Sequence, residues 1–345
     1  GEIAPAFASF FGSETKTSIA KLSLKNYPLA ALQFSYDRDF AHVNVVCKEA
    51  SEKVQVAGSV AQQFSIVLDD PILGNPTFFS NHRTRGKDIV VQDIKNKMYL
   101  ISSSGKVLWK KQLDGPLLGT FNEVDLLNNG RKQLAFNTNK TFYIIDRKGK
   151  DVKPFPMKFK DPITQPLAIF DYDNKRNYRF VVTQGNQVFM YDNKAKQVKG
   201  FTFKKTKTDI VLPPQHIRLG NKDYLLLAEE NGKLNILSRV GKPRISVDHT
   251  FDFSDTPVQK EGSQFVVITK DNVKKTISQS GKVNSQKIAV TGAYAFKIKG
   301  QTKVTLDGNL LRINGNLVEL PFGIYTAPDI FTVNRTSYIT VTETQ

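Results

Sequence analysis

The sequence predicts an all-β chain folded as a β-propeller, a ring of four-stranded blades, six or seven in number. Three observations predict it. Gly105, Gly149, Ala195, Gly241 and Gly281 each stand in a turn between β-rich runs, and they follow one another at 44, 46, 46 and 40 residues. That period fits one propeller blade and is too long for leucine-rich or ankyrin repeats. Ahead of each turn lies a further run rich in β-branched and aromatic residues, bounded by Asn, Asp, Gly and Lys, which is the pattern of a second strand. Prolines recur at the joints between units, at Pro116, Pro166, Pro213-Pro214, Pro257 and Pro328. A residue without an N–H suits the start of a strand or a crossing between blades.

The elements follow in order. Residues 1–60 form a divergent N-terminal segment, and 61–345 form the propeller. Within the first segment, Phe7 to Phe11 and Ile19 to Leu24 are ambiguous between helix and strand, whereas Asn44-Val45-Val46 and Val54-Gln55-Val56 read as strands. The segment is either the tail of a preceding domain or a supply of strands that close the ring. Phe64 to Leu68 then reads as an outer strand leading into the first repeat. The hairpins around the turns carry Met98 to Ile101, Phe142 to Ile145, Val188 to Tyr191 and Leu234 to Leu237; Leu310 to Ile313, before Asn314-Gly315, is a degenerate sixth copy. The strands ahead of them are Asp88 to Val91, Gln133 to Phe136, Phe180 to Thr183, Tyr224 to Leu227, Phe265 to Ile268 and Lys303 to Leu306. A seventh unit begins at Ala327 and has only two strands, the second at Tyr338 to Val341. Shared blades at a ring seam keep a propeller from fraying. No amphipathic helix is expected after residue 60. The recurrent aromatics Phe78, Phe79, Tyr99, Tyr143 and Phe189 are read as packing between blades.

Composition narrows the function classes. The 345 residues are 40% hydrophobic and 10% aromatic, a globular balance. No apolar run approaches the roughly 18 residues that would cross a bilayer as a helix. The chain is therefore not read as an integral helical membrane protein. A single cysteine, Cys47, excludes an intrachain disulfide and a multi-cysteine metal site. The chain begins Gly1-Glu2-Ile3 rather than with Met, so it reads as processed, tagged or cut from something longer.

Catalytic signatures are missing from the sequence. His42, His82, His216 and His249 show no metal-ligand spacing; His216 is placed before a strand and His249 after one, both at blade edges. Each Gly-Lys lacks the Ser or Thr of a phosphate-binding loop, and neither His-Glu-x-x-His nor Gly-x-Ser-x-Gly occurs. The neighbours Asp69-Asp70 and Glu229-Glu230 would point to opposite sides of a strand and make no two-carboxylate site. No catalytic residue, cofactor or metal is assigned.

The patterned signal is charge. The formal net charge is +17, which favours anionic partners. Lys106, Lys150, Lys196, Lys242 and Lys282 each follow the turn residue of successive repeats, so a radial arrangement of blades would set them in an arc on one face. One hairpin adds Arg147, Lys148, Lys153, Lys158 and Lys160. The next adds Lys194, Lys199, Lys204, Lys205 and Lys207, with no acidic residue from 193 to 207. The expected partners are a protein, an anionic surface or an acidic polymer. The plainer alternative is that Gly-Lys is a habitual turn pair, solvated and inert. Nucleic acid is disfavoured, because no aromatic stacking platform interleaves with the lysines.

The run Met98-Tyr99-Leu100-Ile101-Ser102-Ser103-Ser104-Gly105-Lys106-Val107-Leu108-Trp109-Lys110 resembles a pyrroloquinoline-quinone-type (PQQ-like, quinoprotein-like) propeller repeat, a resemblance that covers residues 75–345. The blade period is also WD40-like. With one Trp and one Cys, the chain lacks the repeated tryptophans and paired cysteines of the quinone-binding dehydrogenases it resembles, which implies no bound quinone. Val124 to Gly130 and Phe170 to Asn174 resemble FG-GAP repeats of integrins. There the calcium positions would be Asp125, Leu127, Asn129 and Gln133, and Asp171, Asp173, Lys175 and Arg179; a leucine or a cation at such a position removes the oxygen calcium needs. Phe170 to Asp173, Tyr178 to Phe180 and Lys222 to Tyr224 are similar to flavobacterial-type cell-envelope propeller proteins. That resemblance implies a bacterial cell envelope, periplasmic or outer-membrane associated, and carries over no activity; the repeat fold without catalytic constellations is itself read as a non-enzymatic binding or scaffold module. The alternative reading is a hydrolase or lyase acting on an acidic polysaccharide.

Overall fold

The computed structural model describes residues 64–290, 294–333 and 336–343, Ser13, and the backbone of two N-terminal strands. The chain divides into two units, Gly1–Gln63 and Phe64–Gln345, taken separately below. In the first, β1 (Leu29–Asp37) pairs antiparallel with β2 (Phe40–Lys48). The strand expected at Asn44 to Val46 falls within β2. The expectations for residues 7–11, 19–24 and 54–56 lie outside the described residues.

The second unit is a β-propeller of six blades followed by a two-stranded sheet, all antiparallel. Blade 1 is β3 (Ile72–Ser80), β4 (Lys87–Asp93), β5 (Lys97–Ile101) and β6 (Val107–Gln112). Blade 2 is β7 (Leu118–Val124), β8 (Gln133–Asn137), β9 (Thr141–Ile145) and β10 (Met157–Lys158). Blade 3 has three paired strands, β11 (Ala168–Phe170), β12 (Arg179–Gln184) and β13 (Gln187–Tyr191). Its outer edge is irregular and joins β13 only through bridges at Tyr191↔Gln197 and Gln187↔Lys205. Blade 4 is β14 (Gln215–Leu219), β15 (Lys222–Ala228), β16 (Leu234–Leu237) and β17 (Pro243–Ile245). Blade 5 is β18 (Gln259–Glu261), β19 (Gln264–Ile268), β20 (Val273–Ile277) and β21 (Val283–Lys287). Blade 6 is β22 (Tyr294–Lys299), β23 (Thr302–Asp307), β24 (Leu310–Ile313) and β25 (Asn316–Glu319). The last sheet is β26 (Asp329–Val333) with β27 (Thr336–Thr340).

First strands lie side by side: β3 beside β7, β11 beside β14, β14 beside β18, β18 beside β22, and β22 beside β26. The ring meets itself where Phe78 on β3 packs against Phe331 on β26, ring centroids 5.0 Å apart. That contact accounts for a phenylalanine that is 41% exposed on an inner strand.

The core is a set of apolar layers between blades rather than one centre. Met98, Leu100, Phe136 and Tyr143 fill the layer between blades 1 and 2; Phe142, Phe155 and Phe180 that between 2 and 3. Met190, Phe201 and Leu225 fill the next, and Tyr224, Ile236 and Phe265 the one after. Central strands such as Thr141–Ile145 are buried on both sides, as the continuous hydrophobic runs predict. Phe64 to Leu68 forms no strand. It packs in an extended course over Val91, Tyr99 and Ile101 of blade 1, in the place an outer strand of a preceding blade would take.

Candidate functional site

The five Gly-Lys or Ala-Lys turns share one backbone device. Each joins the third strand of a blade to its outer segment. The amide of residue 105, 149, 195, 241 or 281 donates to the carbonyl three residues earlier, at 3.0, 3.0, 3.0, 2.9 and 3.0 Å. These are three-residue loops in which a type I turn ends in a left-handed residue. That residue has φ of 82° at Gly105, 76° at Gly149, 57° at Ala195, 80° at Gly241 and 85° at Gly281. A side-chain oxygen four residues before each lysine accepts the lysine's backbone N–H: Ser102 at 3.1 Å, Asp146 at 2.9 Å, Asp192 at 2.9 Å, Ser238 at 3.2 Å and Ser278 at 3.1 Å. The full signal is therefore Ser/Asp-x-x-Gly/Ala-Lys, and its first residue escaped the sequence reading.

Glycine is needed for a second reason. A Cβ on Gly149 would stand 2.9 Å from Trp109 of blade 1, and one on Gly241 2.7 Å from the backbone nitrogen of Phe203 in blade 3. On Gly105 it would meet Phe64 at 2.8 Å. Each turn is thus a seat for the outer segment of the preceding blade. Trp109 locks its seat by donating Nε1–H to the Arg147 carbonyl, 2.8 Å away.

The lysine side chains take no part in this. Lys106, Lys150, Lys196, Lys242 and Lys282 are all exposed. Among the described residues no hydrogen bond or ion pair engages their ammonium groups, unlike Lys95, Lys97, Lys110 and Lys111. Equivalent strands run the same way in every blade, so the five turns lie at one end of the blades. The outer segment then runs back to the other end. Lys205 bridges Gln187 at the start of β13, the carbonyl of Lys204 accepts from Val188, and Lys207 follows. Lys158 likewise pairs with Thr141 at the start of β9. The structure brings the five turn lysines to one end and sets Lys204, Lys205 and Lys207 at the opposite end, one strand length away.

Most of the titratable groups weighed for catalysis are engaged in structural contacts; the His42 side chain lies outside the described residues. His216 lies within β14 rather than before a strand, and its Nε2 is 2.8 Å from Asp223, a carboxylate also held by Arg239. Burial alone would raise Asp223, but His216 and Arg239 hold its carboxyl below the usual range. Burial and the nearby Arg131, Arg147 and Arg83 lower the His82 imidazole. His249 packs edge-on against Phe251. Asp69 binds Lys97 and Lys110 while Asp70 binds Lys95. Glu229 is buried and accepts from Asn235 and the amides of Lys207 and Thr208, whereas Glu230 is exposed. Asp125 caps its own turn by accepting from Asn129 and Gly130, and Arg176 lies 3.2 Å away. Among the described residues no three His, Cys, Asp or Glu groups are placed to hold a metal ion. No helix there is long and apolar enough to cross a membrane.

A feature with no signal in the sequence is a cleft of about 1280 Å³ between blades 5 and 6, bordered by Lys260, Lys274, Lys287, Lys303 and Arg312 with one carboxylate, Glu261. Every strand bordering it reads as an ordinary strand.

Neither any family model nor any curated protein sequence matches the chain. Solved structures share the fold. BBS1N in complex with ARL6DN aligns over 80% of this chain and 90% of its own, with a TM-score of 0.59 at 13% identity. BamB from Moraxella catarrhalis aligns over 79% and 85%, with a TM-score of 0.51 at 15% identity. The computationally designed Ika8 protein aligns over 72% and 76%, with a TM-score of 0.50 at 12% identity.

Proposed function

We propose that the propeller is a non-enzymatic binding module that holds an acidic protein partner in a bacterial cell envelope. One observation carries the reading. At five equivalent turns the fold uses residue 106, 150, 196, 242 or 282 only through its backbone N–H and C=O, yet all five are lysines whose ammonium groups have no partner among the described residues. Such an array raises the local concentration of an anionic partner and steers its approach. A rigid repeat face is a general platform for protein partners, and BBS1N was crystallised with one, ARL6DN. The engagement of His216, Asp223 and Glu229 in structural bonds favours binding over the alternative, cleavage of an acidic polysaccharide. The envelope compartment rests on the resemblance of Phe170 to Asp173, Tyr178 to Phe180 and Lys222 to Tyr224 to envelope propellers. Affinity capture from bacterial envelope extract on the immobilised chain tests the proposal. Recovery of a defined acidic protein, released by raised salt, is expected; recovery of nothing above the bare support overturns it.

A further inference from the structure

The layer between blades 5 and 6 departs from the plan of the rest of the ring. In blades 1 and 2 the third strand places Met98 and Phe142, both fully buried, opposite Gln92 and Asn137. The same register position in blade 5, opposite Ile268, is Lys274. Its ammonium lies inside the inter-blade layer, with the side chain only 13% exposed. Val266, Ile268 and Phe296 are the buried apolar residues that remain there. This layer opens into the cleft of about 1280 Å³.

The charges in the cleft do not balance. Lys274 and Lys303 share one carboxylate, Glu261, with Lys303 at 2.8 Å. Both ammoniums also lie over the Phe296 ring, at 5.9 and 5.8 Å from its centroid. Lys287 and Arg312 border the cleft, exposed, and their side chains have no partner among the described residues. An ammonium removed from water and only half-neutralised is costly unless an anion completes it. The floor is apolar, formed by Val258, Ile288, Phe296 and Ile298.

We propose that the cleft between blades 5 and 6 binds an acidic peptide segment, whose carboxylates meet Lys274, Lys303, Lys287 and Arg312 while its apolar side chains lie on Phe296 and Ile288. The apolar floor beside basic groups selects a peptide over an acidic polysaccharide, which has carboxylates but no apolar side chains to bury. The site rests on the binding-module reading and is separate from the turn lysines.

The test uses the full chain and a short fluorescein-labelled peptide of alternating Glu and Leu, with affinity read by fluorescence anisotropy. Lys274→Met installs the residue that blade 1 uses at this position. It is expected to keep or raise the melting temperature, since an apolar residue there fills the layer, and to weaken the peptide about tenfold. The rim pair Lys287→Glu with Arg312→Glu is expected to weaken it at least as much with folding intact. Wild-type affinity in both variants overturns the proposal. If Lys150→Glu, Lys196→Glu and Lys242→Glu together abolish binding while the cleft variants do not, the cleft fails and the binding-module reading stands. Capture of polygalacturonate but not the peptide, or displacement of the peptide by inorganic phosphate at equal concentration, likewise overturns the peptide as occupant.

Discussion

Replacing Gly241 by alanine separates the two demands that the repeat turn makes. Gly241 has φ of +80°, and an added Cβ would stand 2.7 Å from the Phe203 nitrogen, 2.8 Å from its Cβ and 3.0 Å from the Phe201 ring. The left-handed backbone alone costs about 1–2 kcal/mol for a residue with a Cβ. Overpacking against a backbone that cannot rotate away adds about 1–3 kcal/mol. Gly241→Ala should therefore lose about 2–5 kcal/mol, several degrees of melting temperature in a unit of this size. Gly262 is the internal control, with φ of +59° and nothing within 4 Å of the added Cβ. Gly262→Ala should lose only the backbone part, about 1–2 kcal/mol. The neighbouring Lys242→Ala should change stability by no more than about 0.5 kcal/mol. Lys242→Pro removes the N–H that Ser238 accepts and should cost about 1–3 kcal/mol. Urea unfolding of the four variants under one condition measures the differences. Equal losses for Gly241→Ala and Gly262→Ala would refute the seating of one blade on the next turn.

Trp109 is the sole tryptophan, so its fluorescence reports the joint of blades 1 and 2 without interference. Trp109→Ala should cost about 2 kcal/mol, less than a fully buried tryptophan because the ring is only half-buried; Trp109→Phe, which keeps the ring and loses the bond to Arg147, should cost about 1 kcal/mol. The Asp69 carboxyl, bonded first by Lys110 and then by Lys97, is lowered to about 2. A depressed carboxyl contributes stability that is present above its unfolded value and lost as pH falls. Loosening of Phe64 to Leu68 is thus expected only between about pH 4 and pH 2, the interval set by the two states. A carbon-13 titration of Asp69 with a midpoint near 4 contradicts this.

The blade architecture was legible because it repeats. Second strands such as Asp88 to Val91 and Phe265 to Ile268 are buried on both faces and therefore read as continuous apolar runs. Their turns are marked by a residue that must tolerate positive φ. Irregular outer edges were less legible. The outer edge of blade 3 is held by two bridges and carries Lys204, Lys205 and Lys207, which look like ordinary polar loop in sequence. Grouping them with Lys196 ignored that one antiparallel strand length separates the two ends of a blade. Phe64 to Leu68 has strand composition but makes no ladder, because it docks by side chains over Val91, Tyr99 and Ile101. The cleft was invisible because Lys274-Lys275 within Val273–Ile277 looks like the solvent face of an amphipathic strand. Only the register places Lys274 where Met98 and Phe142 are buried.

The most direct measurement is capture of acidic protein from bacterial envelope extract by the triple variant Lys150→Glu, Lys196→Glu and Lys242→Glu, beside the wild type, over a range of salt. Exposed charges act over a Debye length of about 8 Å at physiological ionic strength, so capture by the wild type should fall steeply as salt rises. The triple variant should lose capture at every salt concentration while melting within a few degrees of the wild type, since exposed turn substitutions cost about 0.5 kcal/mol each. Undiminished, salt-independent capture by the triple variant would contradict the account and leave the lysines as solvated turn residues.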